Sequence, residues 1–494
     1  MSLSLHLPVL VILLPLMASP LCILIDRARA SWLITLIASL LSFYCSVLLL
    51  QQVQITGTIS YELGGWQPPW GIEYRIDLLS AFMLILVTGL ATLVLLFARY
   101  SVEQEISKLR IVPFYATLLL AIAGLTGICV SGDVFNVFVF LEISSIASYT
   151  LISMGRDRRA LNAAFKYLVM GTIGATFILI GIGFLYMHTG TLNMQDLAGR
   201  LPALYDNRTI RAGFAFITVG IGLKLALFPL HLWLPNAYTY APSVVSALLA
   251  ATATKVAVYM LLRFLLNIFS LDFSLDAMPL DLILIALGST AIISASLVAI
   301  FQVNLKRLLA YSSVAQLGYI ALAIGLANHS GLTAAMLHIF NHALMKGALF
   351  LSLGAMVYKL GDAELHSSQG LIRHMPLTSV SILVGGLSLI GIPGTAGFIS
   401  KWYMIQATLE LGLWPLALII LAGSVLAVIY IWKIVESIFF QSPPSTVAVH
   451  EAPVSMIVPM AILAAANIYF GLNTHLTVDL ADSASTLLVM GGGQ

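Results

Sequence analysis

Five ionisable side chains stand far from either end of an apolar run: Glu142, Lys224, Lys255, Lys346 and Lys401. A charge at the bilayer centre costs ~2.5–3.5 kcal/mol on insertion scales, so each one calls for a reason. Buried ion pairs that orient helices would be one reason, but one acid against four lysines cannot close into pairs. Proton chemistry is another. Low dielectric disfavours the charged form of either group, while bringing a carboxylate and an amine together restores both charges. A lysine beside a glutamate therefore holds its proton, and releases it when the glutamate withdraws. Arginine would not deprotonate at accessible pH. Moving one charge through ~100 mV is worth ~2.3 kcal/mol, within reach of such swings.

The segment HIFNHALMK adds His338 and His342 to Lys346. Spacings of four and eight put all three on one helix face. Histidine titrates near neutral pH and can pass a proton between two waters. Packing histidines and a His-x-x-x-His metal site are the alternatives, and no nearby carboxylate completes the latter. Ser312, Ser313, Gln316 and Tyr319, in YSSVAQLGY, either wet a path or hydrogen-bond between helices. His231 either gates an interrupted helix or caps it. Lys166 is divided between snorkelling and function. Asp133 reads as a solvated helix-start charge, and Arg263 and Lys433 as snorkelling side chains near span ends.

The elements that must hold these groups follow from composition. Of 494 residues, 60% are hydrophobic and 9% charged, against ~45–50% and ~25% in soluble domains. Mean hydropathy is +1.01, and apolar runs of roughly 18–25 residues recur throughout, each long enough to cross a bilayer as a helix. The reading is an all-α polytopic membrane protein of about fourteen spans. A net charge of +2 without a basic tract argues against nucleic-acid binding. Cys22, Cys45 and Cys129 are scattered singly and offer neither disulfide nor cluster. No phosphate-cradling glycine motif appears, and no cofactor or metal is expected. Arg27 and Arg29 follow the first apolar run instead of preceding it, as in a retained first helix.

Basic residues fix the topology. Seven of the 23 Lys and Arg fall within spans, twelve in odd-numbered loops and four in even-numbered loops. The positive-inside rule puts the odd loops in the cytoplasm and both termini outside. Two spans are interrupted. Lys224 to Pro235 reads KLALFPLHLWLP, and Ser388 to Lys401 reads SLIGIPGTAGFISK. Backbone freed by proline and glycine is tolerable at membrane depth only beside protein or a wet cavity, and matching breaks in two halves point to an ion path. The breaks, in spans seven and twelve, are five spans apart, an odd offset that inverts orientation. The expected organisation is a single transmembrane domain: residues 1–111 (helices 1–3), 112–268 (first repeat, helices 4–8), 279–437 (second repeat, helices 9–13) and 452–494 (helix 14 and tail).

FLEISSIASYTL around Glu142, PLHLWLPNAYTYAPSVVSALLAA after Lys224, KRLLAYSSVAQLGY and HIFNHALMKGALFLSLGA together resemble the antiporter-like subunits shared by respiratory complex I and the Mrp-type cation/proton antiporters. The resemblance runs over essentially the whole chain. It implies a fourteen-helix fold and a polar axis carrying protons along the membrane plane. Glu142 matches the family's acid of helix five, Lys224 its partner in broken helix seven, and Lys255 the connecting lysine of helix eight. His338, His342 and Lys346 match the helix-eleven set, and Lys401 the terminal residue of broken helix twelve. Length and Lys401 suggest the D-type branch of the Mrp antiporters, although Leu141 stands where many D-type sequences carry an aromatic. The expected function is proton translocation within a multisubunit Na⁺ or K⁺/H⁺ antiporter, with other membrane subunits, protons, the cation and the bilayer as partners. Such a chain is a secondary antiporter component, not an enzyme. The alternative is a pumping-arm subunit of a complex I-like oxidoreductase or membrane-bound hydrogenase, where it would be part of a translocase.

Overall fold

The computed structural model describes residues 3–443 and 450–490. Most of them are helical. In chain order the helices are α1 (Leu7–Ile25), α2 (Ala28–Thr56), α3 (Leu78–Glu105), α4 (Ile111–Val130), α5 (Val134–Ser153), α6 (Arg158–Thr189), α7 (Met194–Arg200) and α8 (Arg208–Leu225). Then follow α9 (Leu234–Tyr240), α10 (Ser243–Leu248), α11 (Thr254–Leu262), α12 (Leu280–Ile300), α13 (Leu305–Gly325) and α14 (His329–Leu360). The last are α15 (Pro376–Ile390), α16 (Ala396–Glu410), α17 (Trp414–Val435), α18 (Val454–Leu472) and α19 (His475–Met490). Among the described residues, 12 helices are long and apolar enough to cross a membrane, or up to 13 if one bent pair counts as a span. The chain is a multi-pass membrane protein.

The two interruptions fall where proline and glycine forecast them. α8 stops at Leu225, and Ala226 turns left-handed (φ 58°) before α9 begins. α15 stops at Ile390, Gly391 turns left-handed (φ 88°), and α16 resumes at Ala396. α10 and α11 form one continuous path through a π-helical turn, Leu249–Ala253, which widens the helix just before Lys255.

Loop contacts segregate by parity, as a chain that alternates across a bilayer requires. Tyr74 bridges to Ser131 and Asp133 to Asn193, joining even-numbered loops, while Asn304 bridges to Glu364 between odd-numbered ones. A short hairpin, β1 (Ile59–Glu62) against β2 (Glu73–Ile76), lies in the second loop. The long helix α14 packs on α3, α10, α13, α15, α16 and α18 and is buried along most of its length. Small residues let the backbones close up: a Cβ on Gly288 of α12 would lie 2.6 Å from the Gly318 carbonyl of α13.

Candidate functional site

All seven sequence-selected residues lie on helices that meet in the interior, six of them buried and Glu142 half-buried. Lys224 is the last residue but one of α8, directly before the first break. Its Nζ lies 3.3 Å from Glu142 Oε1 and donates to Ser145 Oγ (2.8 Å) and to the Tyr149 hydroxyl (3.4 Å). Glu142, Ser145 and Tyr149 are spaced three and seven residues apart on α5, so one helix face supplies all three partners. Lys224 is the only lysine in an ion pair among the described residues.

The break itself is held by aromatic rings. Trp233 Nε1 donates to the Leu223 carbonyl (2.9 Å), tying the chain after the break to the residue beside Lys224. Tyr167 stacks on Trp233 at 3.9 Å and meets Tyr149 edge-on at 4.6 Å. His231, also in the break, is buried and stacks on Phe228, with Nδ1 unpartnered. A small cavity of about 30 Å³, room for about one water, runs from Lys224 past Ser144 and Ser148 to Thr254.

Lys255 is fully buried and donates to the Ala250 carbonyl within the π-helical turn. The extra residue in that turn frees a carbonyl that an α-helix would occupy, and the amine takes it up. On α14, Lys346 donates to the Leu309 carbonyl (2.8 Å) and to Ser312 Oγ. His338 bonds Ser400 Oγ through Nδ1 (2.8 Å) and Gln316 through Nε2 (2.9 Å), so both ring nitrogens are engaged. His342 stacks 5.9 Å from His338, with both nitrogens buried and without a hydrogen-bond partner among the described residues. A buried imidazole in that condition needs water.

Lys401 closes the row. Its Nζ donates to the Leu389 (3.1 Å) and Ile390 (2.9 Å) carbonyls and to Ser424 Oγ (2.9 Å), and lies 4.7 Å from the centre of the Tyr319 ring. A cation here satisfies the last carbonyls of α15, the negative end of its dipole. The turn requires close backbone approach: a Cβ on Gly397 would lie 1.8 Å from the Ser388 carbonyl oxygen.

Of the weaker candidates, Ser312 and Gln316 join the row directly and Tyr319 through its ring. Ser313 instead bonds the Leu309 carbonyl of its own helix. Asp133 caps α5 by accepting from Asn136 N (2.8 Å). Lys166 is exposed on the outer face of α6. One reading is corrected. Arg263 does not snorkel: it is buried, its two terminal nitrogens grip both oxygens of Asp77, and it also donates to Ser80 and Asn267. Lys433, near the end of α17, is half-buried and donates to the Ile300 and Gln302 carbonyls where α12 ends. Sequence reasoning missed Tyr149, Tyr167, Trp233, Ser400 and Ser424. Only the aromatic clustering around Pro229 and Pro235 gave any signal of them.

The model of the NADH:quinone oxidoreductase/Mrp antiporter transmembrane family matches residues 131–427, which hold all seven residues from Glu142 to Lys401. The chain belongs to that family. It is 39% identical to the NADH-quinone oxidoreductase N subunit of Desulforudis audaxviator, covering 94% of this chain and 96% of that one. It is 29% identical to the D-type component of the Na⁺/H⁺ antiporter of Bacillus subtilis, covering 97% of each. Among solved structures, a chain of the Mrp complex of a Dietzia species superposes with a TM-score of 0.91 at 25% identity, over 99% of this chain and 98% of that one. A chain of an archaeal membrane-bound sulfane sulfur reductase gives 0.91 at 30% identity, over 98% of each. This antiporter-family chain is thus a membrane subunit whose relatives serve in both kinds of assembly.

Proposed function

We propose that this chain moves protons along the buried row from Glu142–Lys224 through Lys255 and the α14 residues Lys346, His342 and His338 to Lys401, as a subunit of a multisubunit Na⁺ or K⁺/H⁺ antiporter. One observation carries the reading: five amine or imidazole side chains between two broken helices have hydroxyls, carbonyls or no protein group as partners, and only Lys224 has a carboxylate. Groups held by neutral dipoles can change protonation without tearing an ion pair apart. Glu142–Lys224 is the switchable pair at one terminus. Lys255 and the α14 residues are the relay, and Lys401 is the second terminus. Residues 112–268 and 279–437 form the two inverted halves, with residues 1–111 and 452–494 flanking them. The odd-numbered loops face the cytoplasm of a bacterial cell, and both termini lie outside.

Sodium- or potassium-dependent dissipation of ΔpH in everted vesicles carrying the full complex tests this. Glu142→Ala and Lys224→Ala are expected to abolish exchange at normal assembly, and wild-type exchange in either would end the proposal. The second reading, a pumping-arm subunit of a redox-driven complex, is favoured by the 39% identity to an oxidoreductase N subunit over nearly the whole chain. It predicts proton transport driven by electron transfer and indifferent to sodium or potassium.

A further inference from the structure

On the face of the odd-numbered loops, a cavity of about 730 Å³ opens between residues 155–159, 239–242, 301–307 and 361–364. Four basic and four acidic side chains line it: Arg156, Arg159, Lys306 and Arg307 against Glu105, Asp157, Asp362 and Glu364. Such a balance suits a water-filled mouth better than a site for an anion. At its floor Lys306 is buried, with 5% of its surface exposed. Its Nζ donates to Ser243 Oγ (3.0 Å) and to the Ala241 carbonyl (3.3 Å). Ser243 Oγ donates in turn to Glu105 Oε2 (3.1 Å), and Ser243 N donates to the same oxygen (2.9 Å). The buried amine thus reaches its carboxylate only through a serine hydroxyl.

We infer that Lys306, Ser243 and Glu105 form the entry relay through which protons pass between the odd-loop cavity and the buried row. This rests on the proposed proton path and deepens it, because it names the mouth. The step is a double transfer. Lys306 gives a proton to Ser243 Oγ as Ser243 gives its own proton to Glu105, leaving a neutral amine, an intact hydroxyl and a neutral carboxyl; the reverse passes a proton inward. The inward link lies on α13. Three residues on from Lys306, the Leu309 carbonyl, about 4.5 Å deeper by helix rise, holds the Lys346 amine, so the next group of the row lies within reach of a short water chain, which would carry the proton between the two amines. On the opposite side, one turn beyond Tyr259 on the helix of Lys255, the Arg263–Asp77 pair and the Tyr259 hydroxyl are tied up in satisfied bonds.

The alternative is a clamp that merely joins α3, α10 and α13, and two variants separate the readings. Ser243→Ala removes the hydroxyl but leaves both charges, the Ser243 N–Glu105 bond and the Lys306–Ala241 bond. Lys306→Arg keeps the charge and the donors but cannot release a proton. In everted vesicles with the full complex at normal assembly, each is expected to lower the initial rate of cation-driven proton movement at least about tenfold, the low end for loss of a positioned proton-transfer group. Wild-type rates in Ser243→Ala, or in Lys306→Arg, would overturn the relay. Glu142→Ala in the same vesicles keeps the two failures apart. If it is inactive while Ser243→Ala is active, only the mouth is misassigned; if it is active, the row itself is.

Discussion

Lys224 and Glu142 meet at 3.3 Å with unequal exposure: 3% of the lysine side chain is accessible and 25% of the glutamate side chain. The amine is sealed inside while the carboxylate reaches an outer face of the bundle. Removal of the carboxylate therefore strands a buried amine on Ser145 and Tyr149 alone. Breaking a buried pair from one side costs ~3–5 kcal/mol, whereas replacing both members is often neutral. Partial exposure of Glu142 puts this case toward the low end. Glu142→Gln is expected to lower the unfolding temperature of the purified chain in detergent, and Glu142→Gln with Lys224→Met to recover most of the loss. Both should be inactive in transport. A double variant less stable than the single one would show that the pair does not behave as coupled charges.

His338 and His342 are neighbours on one helix face but differ in attachment. His338 gives or takes hydrogen bonds with Ser400 and Gln316, while His342 has neither nitrogen bonded to protein. His338→Phe strands the buried Gln316 Oε1, at ~1–3 kcal/mol, and leaves Ser400 Oγ with only its bond to the Gly397 carbonyl (3.2 Å), so it should destabilise the protein as well as impair transport. His342→Phe breaks no hydrogen bond to a described residue and keeps an aromatic ring against His338. It should leave thermal stability near the wild-type value and still cut transport about tenfold or more, by the same proton-transfer reasoning. Equal stability losses in the two variants would mean that His342 has a structural partner.

Much of this site was legible because polar groups inside apolar runs stand out, and because proline and glycine mark where a helix must stop. Glu142, Lys224, Lys255, Lys346 and Lys401 were found in that way, as were both breaks. Pairings were less legible. Arg263 sits near the end of a hydrophobic run, where snorkelling is the local expectation, but Asp77, 186 positions earlier, reaches it through tertiary packing. Lys306 looked like one more loop charge, since nothing local announces that Ser243 and Glu105 converge on it. α19 escaped notice because Asp479 and Asp482 dilute its hydropathy, although Ser485 on it bonds Thr333 of α14 (2.7 Å). The π-helical turn before Lys255 left no trace in composition.

Arg263 and Asp77 make a second buried pair, with Tyr259, Ser80 and Asn267 taking up the remaining donors. The guanidinium is fully used, and Asp77 also caps α3 by accepting from Ser80 N (2.9 Å). Asp77→Ala removes both the cap, typically ~1 kcal/mol, and the partner of a buried cation, ~3–5 kcal/mol. Asp77→Asn keeps the cap and loses the charge. The expected order of unfolding temperatures is wild type, then Asp77→Asn, then Asp77→Ala. The purified chain in detergent suffices for the measurement, and indistinguishable values for the two variants would remove the capping role.

Lys401 does two things at once: it satisfies the Leu389 and Ile390 carbonyls where α15 ends, and it ends the buried row. The turn it closes depends on Gly397, whose amide donates to Ser388 Oγ (3.1 Å) and whose missing side chain lets the Ser388 carbonyl approach. Gly397→Ala puts a methyl 1.8 Å from that oxygen, against backbone that a flexible side chain cannot relieve. The two strands of the break must separate, and the carbonyls that hold Lys401 move with them. Gly397→Ala is therefore expected to reduce the folded yield or, where the protein assembles, to abolish transport although no titratable group has changed. Lys401→Arg keeps a cation at the carbonyls but cannot give up its proton. It should assemble normally and be inactive, and full transport by assembled Lys401→Arg would reduce the residue to a helix cap.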